Sequence, residues 1–210
     1  MATVLRIDAG TLPRVLVLDP PVTDAEFEAL CRENREIRLE RTKEGAVRMN
    51  APTGGWTGSG NMEISSQLGN WWTTRERGRV FDSSTAFRLP DGSTLSPDAS
   101  YVSEERLHTL PKDGLRGFPP VCPDFVIELR SESDSARELK DKMADWIANG
   151  AQLAWLIDPW KREAIDPWKR EAYVYRPDGI AEAVTGNQIA GEGPVEGFVL
   201  DLARVWKRYE

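Results

Sequence analysis

Histidine is almost missing from this chain: His108 stands alone among 210 residues. That scarcity excludes histidine-rich zinc sites and leaves little room for a Ser-His-Asp triad. Cysteine is nearly as rare. Cys31 and Cys122 are too few for a disulfide framework, and neither belongs to a CxxC pair, so a reducing cytoplasm is the expected location. No apolar run approaches the ~20 residues of a membrane-spanning helix. The N-terminus also lacks the basic-then-apolar pattern of a secretory signal, so no membrane partner is expected. A basic excess is absent too. The net charge of −7 argues against a protein that coats DNA through overall charge. It leaves room for a nuclease, because carboxylates that hold a metal add negative charge which cations offset locally. An enzyme of this composition rests its chemistry on carboxylates, Lys and Arg.

What the chain does have is a stretch from Pro123 to Pro159, "PDFVIELRSESDSARELKDKMADWIANGAQLAWLIDP". Its pattern predicts strand, polar turn, amphipathic helix and a second buried strand. On the first strand Phe125, Ile127 and Leu129 face the core, while Asp124, Glu128 and Arg130 share the opposite face. Charges in such a place are seldom buried unless paired or metal-bound. The helix is expected over 135–149, with Leu139, Met143, Trp146 and Ile147 as its apolar stripe and Asn149-Gly150 as its stop. Glu138 and Lys142, four apart, are expected side by side off that stripe, which alone would be an ordinary surface pair. "AQLAWLID" reads as a strand covered on both faces, so the stretch is a parallel βαβ unit. At this length one domain over 1–210 is expected, of class α/β.

Upstream, Thr23 and Glu26 form a capping box ahead of a helix whose apolar side is Phe27, Leu30 and Cys31. Residues 35–50 read as a hairpin turning at Glu44-Gly45, with Ile37 and Leu39 alternating with charges. Residues 1–50 are thus an N-terminal helix-and-hairpin extension. The glycine-rich 50–60 lacks the GKS or GKT ending of a P-loop and the spacing of a dinucleotide fingerprint, so it reads as a flexible lead-in. A long helix is expected over 61–77, with Glu63 in its first turn, where the helix dipole favours a carboxylate. Strand-like segments follow, with a turn at Asp91-Gly92. Pro97 cannot donate to a ladder, so the strand beginning at Asp98 is expected to start at a bulge or an edge. A short helix is expected over 103–110. After residue 180, strand, loop and a closing strand or short helix are expected.

"IDPWKREA" occurs twice in tandem, at 157–164 and 165–172. A duplication in the coding DNA is the simplest account, extending a hairpin at 157–172. Eight is even, so slipping by one copy keeps every side chain on its own face. Trp160 and Trp168 suggest a base-stacking pair but read more simply as residues flanking the turn.

Two or more carboxylates on adjacent strands with a nearby Lys are the kit for metal-dependent phosphodiester hydrolysis. At this point "SPDASYV", the 123–159 stretch and "YVYRPDG" together resemble the Uma-two family, a restriction-endonuclease-like bacterial branch of the PD-(D/E)XK nuclease superfamily. The likeness continues through "APTGGWTGSGNMEISSQL", "GRVFDSSTAFRLPDGSTLSPD" and "GFVLDLARVW". The resemblance implies a mixed central sheet flanked by helices, with the βαβ unit carrying the site. It implies DNA as partner and Mg²⁺ or Mn²⁺ as cofactor. Asp98 matches the PD aspartate and Glu128 the strand acid, the two expected metal ligands. Where the superfamily carries its lysine, this chain has Arg130, and Lys142 on the next helix matches the family's lysine. Glu138 matches the acid before that lysine, and Glu63 resembles the superfamily's helix acid. Arg cannot act as a general base, so Lys142 is assigned to orient the water, and Arg130 to bind phosphate or tie down Glu128. The alternatives are a catalytically inactive nuclease-fold module that binds DNA or protein, and a structural module that homodimerises through an exposed strand or a Trp-rich surface.

Overall fold

A computed structural model of the chain describes residues 15–50, 52–161, 170–184 and 186–210. In chain order they form β1 (Val15–Leu16), α1 (Asp24–Glu33), β2 (Arg38–Arg41), β3 (Val47–Asn50), α2 (Gly55–Thr73), β4 (Arg79–Asp82), β5 (Phe87–Arg88), β6 (Thr94–Leu95), β7 (Ala99–Val102) and α3 (Glu104–His108). β8 (Phe125–Leu129), α4 (Ala136–Ala148), β9 (Leu153–Asp158), β10 (Glu171–Tyr175), β11 (Ala181–Ala183), β12 (Gln188–Ala190), β13 (Val199–Asp201) and α5 (Leu202–Trp206) follow, closed by a 3-10 turn at Lys207–Tyr209.

Among the described residues, six strands in the order β11-β10-β9-β8-β7-β4 make the central sheet. β8 and β9 are parallel, and the other neighbours pair antiparallel, so the architecture is mixed α/β. Helices cover both faces. Phe125, Ile127 and Leu129 pack with Ile64 and Leu68 of α2 and with Phe198, Leu200 and Val205 of the C-terminal segment. Val126 points the other way, to Met143 and Trp146 of α4. β9 is buried along its whole length, as a strand between two helical layers must be. The βαβ unit forms as its periodicity predicts: Ser135 caps α4 by accepting from the Glu138 N–H, and Gly150 follows its end with φ +105°.

A second sheet, in the order β1-β3-β2-β6-β5, carries the N-terminal hairpin. Its turn places Gly45 at φ +84°, and the Thr23–Glu26 capping box starts α1. The chain crosses from this sheet to the central one between β6 and β7, at Ser96, Pro97 and Asp98. Pro97 therefore marks a passage between sheets rather than an edge, for β7 lies between β4 and β8. The proline removes a donor where no ladder needs one.

Two expectations are corrected near α2. The helix begins at Gly55, not Asn61, and ends at Thr73. Glycine there serves close packing rather than flexibility: a Cβ on Gly60 would stand 2.8 Å from Tyr209 Oη and 2.9 Å from Leu129 Cδ2. In consequence Glu63 lies beyond the first turn, away from the helix dipole's positive end. The C-terminal expectation resolves into both elements, β13 pairing with β12 and running directly into α5. In the duplicated hairpin Asp158 pairs with Glu171 and Ile157 with Ala172, so the first copy leaves β9 and the second enters β10. Trp168 lies outside the described residues.

Candidate active site

Glu128 follows Val126 on the α4-facing side of β8 and is 2% exposed. Its Oε1 accepts from Trp146 Nε1 at 2.9 Å and lies 2.8 Å from Lys142 Nζ. Lys142 is buried too. It does not stand beside Glu138 on the surface as expected, for Glu138 is exposed while Lys142 turns into the sheet. The physical reason is two carboxylates: Lys142 Nζ also lies 2.8 Å from Glu40 Oε1, and donates to the Ser96 carbonyl at 2.8 Å. An ammonium has three protons, and here each has a partner.

Asp98 stands at the head of β7. Its backbone N–H donates to the Ile127 carbonyl at 3.0 Å, and its Oδ2 accepts from the Leu129 N–H at 2.8 Å. The side chain thereby extends the β7–β8 ladder past its last residue pair and is fixed beside Glu128. Oδ1 accepts from Asn61 Nδ2 of α2 at 3.3 Å and lies 3.6 Å from Arg38 of β2.

Glu40 and Arg38 are the residues that reading the sequence missed. Glu40 is 3% exposed, and its Oε1 accepts from the Ser96 N–H at 2.9 Å. Three carboxylates, Glu40, Asp98 and Glu128, thus share a buried site with two cations, Arg38 and Lys142. Burial pushes the Glu128 carboxyl up to about 7, and Asp98 and Glu40 add to the rise against the pull of Lys142. For Glu40 the burial cost is outweighed by Lys142 and Arg38, which hold it below the usual carboxylate range. Burial opposes the charge on Lys142, yet Glu128 and Glu40 hold its ammonium above the ordinary value. Of the two, Glu128 is therefore the carboxylate that gives up its charge and takes a proton more readily.

Arg130 goes elsewhere. Its Nη1 meets Asp158 at 3.0 Å and its Nε donates to the Asp134 carbonyl at 3.1 Å, so it joins the ends of β8 and β9 rather than holding Glu128. Glu63 sits in a separate cluster, 2.8 Å from Arg204 Nη2 and 2.7 Å from Arg208 Nη2. Asp124 is tied to Arg106, Ser103 and Gln152 at the start of β8.

Beside the site, reaching it through Arg38, Asn61 and Ser96, lies a cleft of about 480 Å³ that Asn50 and Thr53 also line. Among the described residues, no three His, Cys, Asp or Glu side chains come together to hold a metal ion between them. The donor set still fits a hard divalent ion. Mg²⁺ is commonly held by one or two carboxylates, with waters and substrate phosphates completing its shell. Asp98 and Glu128 are two such carboxylates, and both contacts of Glu128 fall on Oε1. Their surroundings are short of one positive charge.

Residues 24–203 match the model of the family Uma2, described as "Putative restriction endonuclease". The chain is also similar to a solved structure, a putative nuclease belonging to DUF820 from Anabaena variabilis ATCC 29413. The TM-score is 0.68 at 21% identity, over 90% of this chain and 99% of that one, which shows a shared fold. No curated protein matches the chain. The family match reaches from α1 to α5 and includes all five residues of the buried charge cluster; the chain belongs to the Uma2 family.

Proposed function

We propose that this protein is a metal-dependent DNA endonuclease with a restriction-endonuclease-like fold, hydrolysing phosphodiester bonds at Asp98, Glu128 and Lys142. The observation that carries this reading is convergence. Asp98, just before β7, Glu128 of β8 and Lys142 of α4 meet in one buried polar site, with Lys142 Nζ 2.8 Å from Glu128. Burying such a set is costly, and it has no packing purpose that apolar residues would not serve better.

Asp98 and Glu128 are the ligands for Mg²⁺ or Mn²⁺, which supplies Lewis-acid polarisation of the phosphate. Lys142 holds its proton, so it acts by charge and orientation and not as a base. To orient a water it releases one of its three partners. Glu128, the carboxylate least committed to its charge, is the one it gives up. Arg38, beside Asp98 and on the cleft wall, takes the phosphate-binding role first assigned to Arg130.

The decisive assay is cleavage of single-stranded, duplex and branched DNA with Mg²⁺ or Mn²⁺, comparing wild type with Glu128→Ala and Lys142→Ala, each checked for folding by circular dichroism. Metal-dependent cutting that both substitutions abolish is the expected result. One observation favours a second reading, a nuclease-fold module that binds DNA without cutting it: all three Lys142 protons are engaged by the protein itself. A folded wild type that binds DNA but cuts no substrate would decide for that module.

A further inference from the structure

Trp56, in the first turn of α2, is 55% exposed. Its ring does not stand alone. The Trp160 ring centroid lies 5.8 Å away, and Trp160 in turn meets Tyr209 edge-on at 5.5 Å. Tyr209 is 8% exposed. Its hydroxyl and the Leu129 side chain both lie beside Gly60, and Leu129 is the residue whose N–H fixes Asp98. A column of rings therefore runs from solvent to the edge of the charge cluster. Its approach is open: a Cβ on Gly54 or Gly55 would meet nothing within 4 Å. Thr53, just before them, lines the cleft with Arg38 and Asn61.

The core does not need Trp56 as it needs Trp155, which is fully buried. More than half of the Trp56 side chain faces water, so its share of apolar burial is small. An exposed indole three residues along the chain from Thr53, on the wall of a cleft that also carries Arg38, suits a flat, polar-edged aromatic ligand.

We propose that Trp56, Trp160 and Tyr209 form a stacking site for an unpaired nucleobase flanking the phosphate at Asp98 and Glu128, which makes single-stranded or unpaired DNA the substrate class. The assignment rests on the nuclease reading for its ligand. A base inside a duplex is stacked on both sides and cannot lie on the indole; an unpaired one can.

The test is equilibrium binding of a labelled single-stranded oligonucleotide, and of the duplex of the same sequence, to full-length protein in EDTA. Cleavage plays no part in it, so it stands apart from the cleavage assay. Trp56→Ala should weaken single-strand binding about tenfold, within the range measured for losing one base stack. Duplex binding should stay unchanged, and Trp56→Phe should restore most of the single-strand affinity. The proposal is overturned if Trp56→Ala binds the single strand as wild type does, or loses duplex binding in the same proportion. It is also overturned if Trp56→Phe is as weak as Trp56→Ala, or if wild type does not bind the single strand.

Discussion

Glu128→Gln should make this protein more stable at pH 8 and barely change it at pH 4. The reasoning starts from a carboxyl raised from 4.5 to about 7. A group raised on folding supports the folded state below its unfolded pKa, and that support is lost as pH rises through the folded value. From pH 4.5 to 7 the ionised Glu128 therefore destabilises progressively, reaching about 3 kcal/mol above pH 7 at 1.36 kcal/mol per pKa unit. A competing effect must be weighed, since removing one partner of a buried ion pair costs about 3–5 kcal/mol when the other charge is stranded. Here it is not stranded: Lys142 keeps Glu40 and the Ser96 carbonyl, each at 2.8 Å. The electrostatic gain should win. For a chain of this length, about 2–4 °C per kcal/mol makes the expected rise in Tm about 6–12 °C at pH 8. The assay is thermal unfolding of wild type and variant across pH 4–9, with and without Mg²⁺. Millimolar Mg²⁺ should raise the wild-type Tm at pH 8 and leave that of Glu128→Gln where it was, since a ligand stabilises only the state that binds it. A variant less stable than wild type at pH 8, or a difference that does not grow with pH, would refute the idea that the ionised Glu128 is destabilising.

Lys142→Met should lose about 3–5 kcal/mol at pH 8, because Glu40 and Glu128 would then lose the cation 2.8 Å from each, leaving only Arg38 for three carboxylates; urea unfolding reads this directly, and acid pH should soften the loss. Gly60→Ala should destabilise by about 1–3 kcal/mol despite the better helix propensity of alanine, since its Cβ meets Tyr209 and Leu129 at under 3 Å. Its Tm, and the intrinsic fluorescence of the neighbouring aromatic residues, would show the displacement. Deleting residues 165–172 should leave Tm and DNA binding unchanged. One copy then supplies both the Ile157–Asp158 end of β9 and the Glu-Ala that pairs with it, with every side chain on its original face.

What could be read from the sequence, and what could not, follows the range of the interactions. β8, α4 and β9 were legible because their signals are local: an apolar run, a helical stripe, a cap and a stop. Lys142 was legible as a residue but not as a buried one, for its neighbours 139, 143 and 146 form the stripe and only a distant carboxylate could draw it inward. That carboxylate, Glu40, is 88 positions from Glu128 in the chain, and no spacing rule spans such a separation. The signal was nonetheless present. Arg38 and Glu40 lie two apart on a strand whose Leu39 is core, the same pairing of opposite charges on one face that drew attention to Glu128 and Arg130.

Alternation selected Arg130 as the cation for Glu128, and the structure shows where alternation stops. β8 ends at Leu129, and Arg130 is the first residue past it, its N–H still donating to the Ile157 carbonyl at 2.9 Å. Its guanidinium swings to Asp158 at the end of the neighbouring strand. A carboxylate buried on one sheet then has to find its positive charge elsewhere. It finds one on the helix packed over it, and the Glu40 that shares this lysine comes from a second sheet, reached through the Ser96–Asp98 crossing. Pro97 makes that crossing possible by ending one ladder without leaving a donor unpaired. The candidate site thus exists because the chain changes sheets at the residue just before Asp98. The same step explains why a proline-aspartate pair, uninformative as a dipeptide, sits where residues of both sheets, α2 and α4 come together.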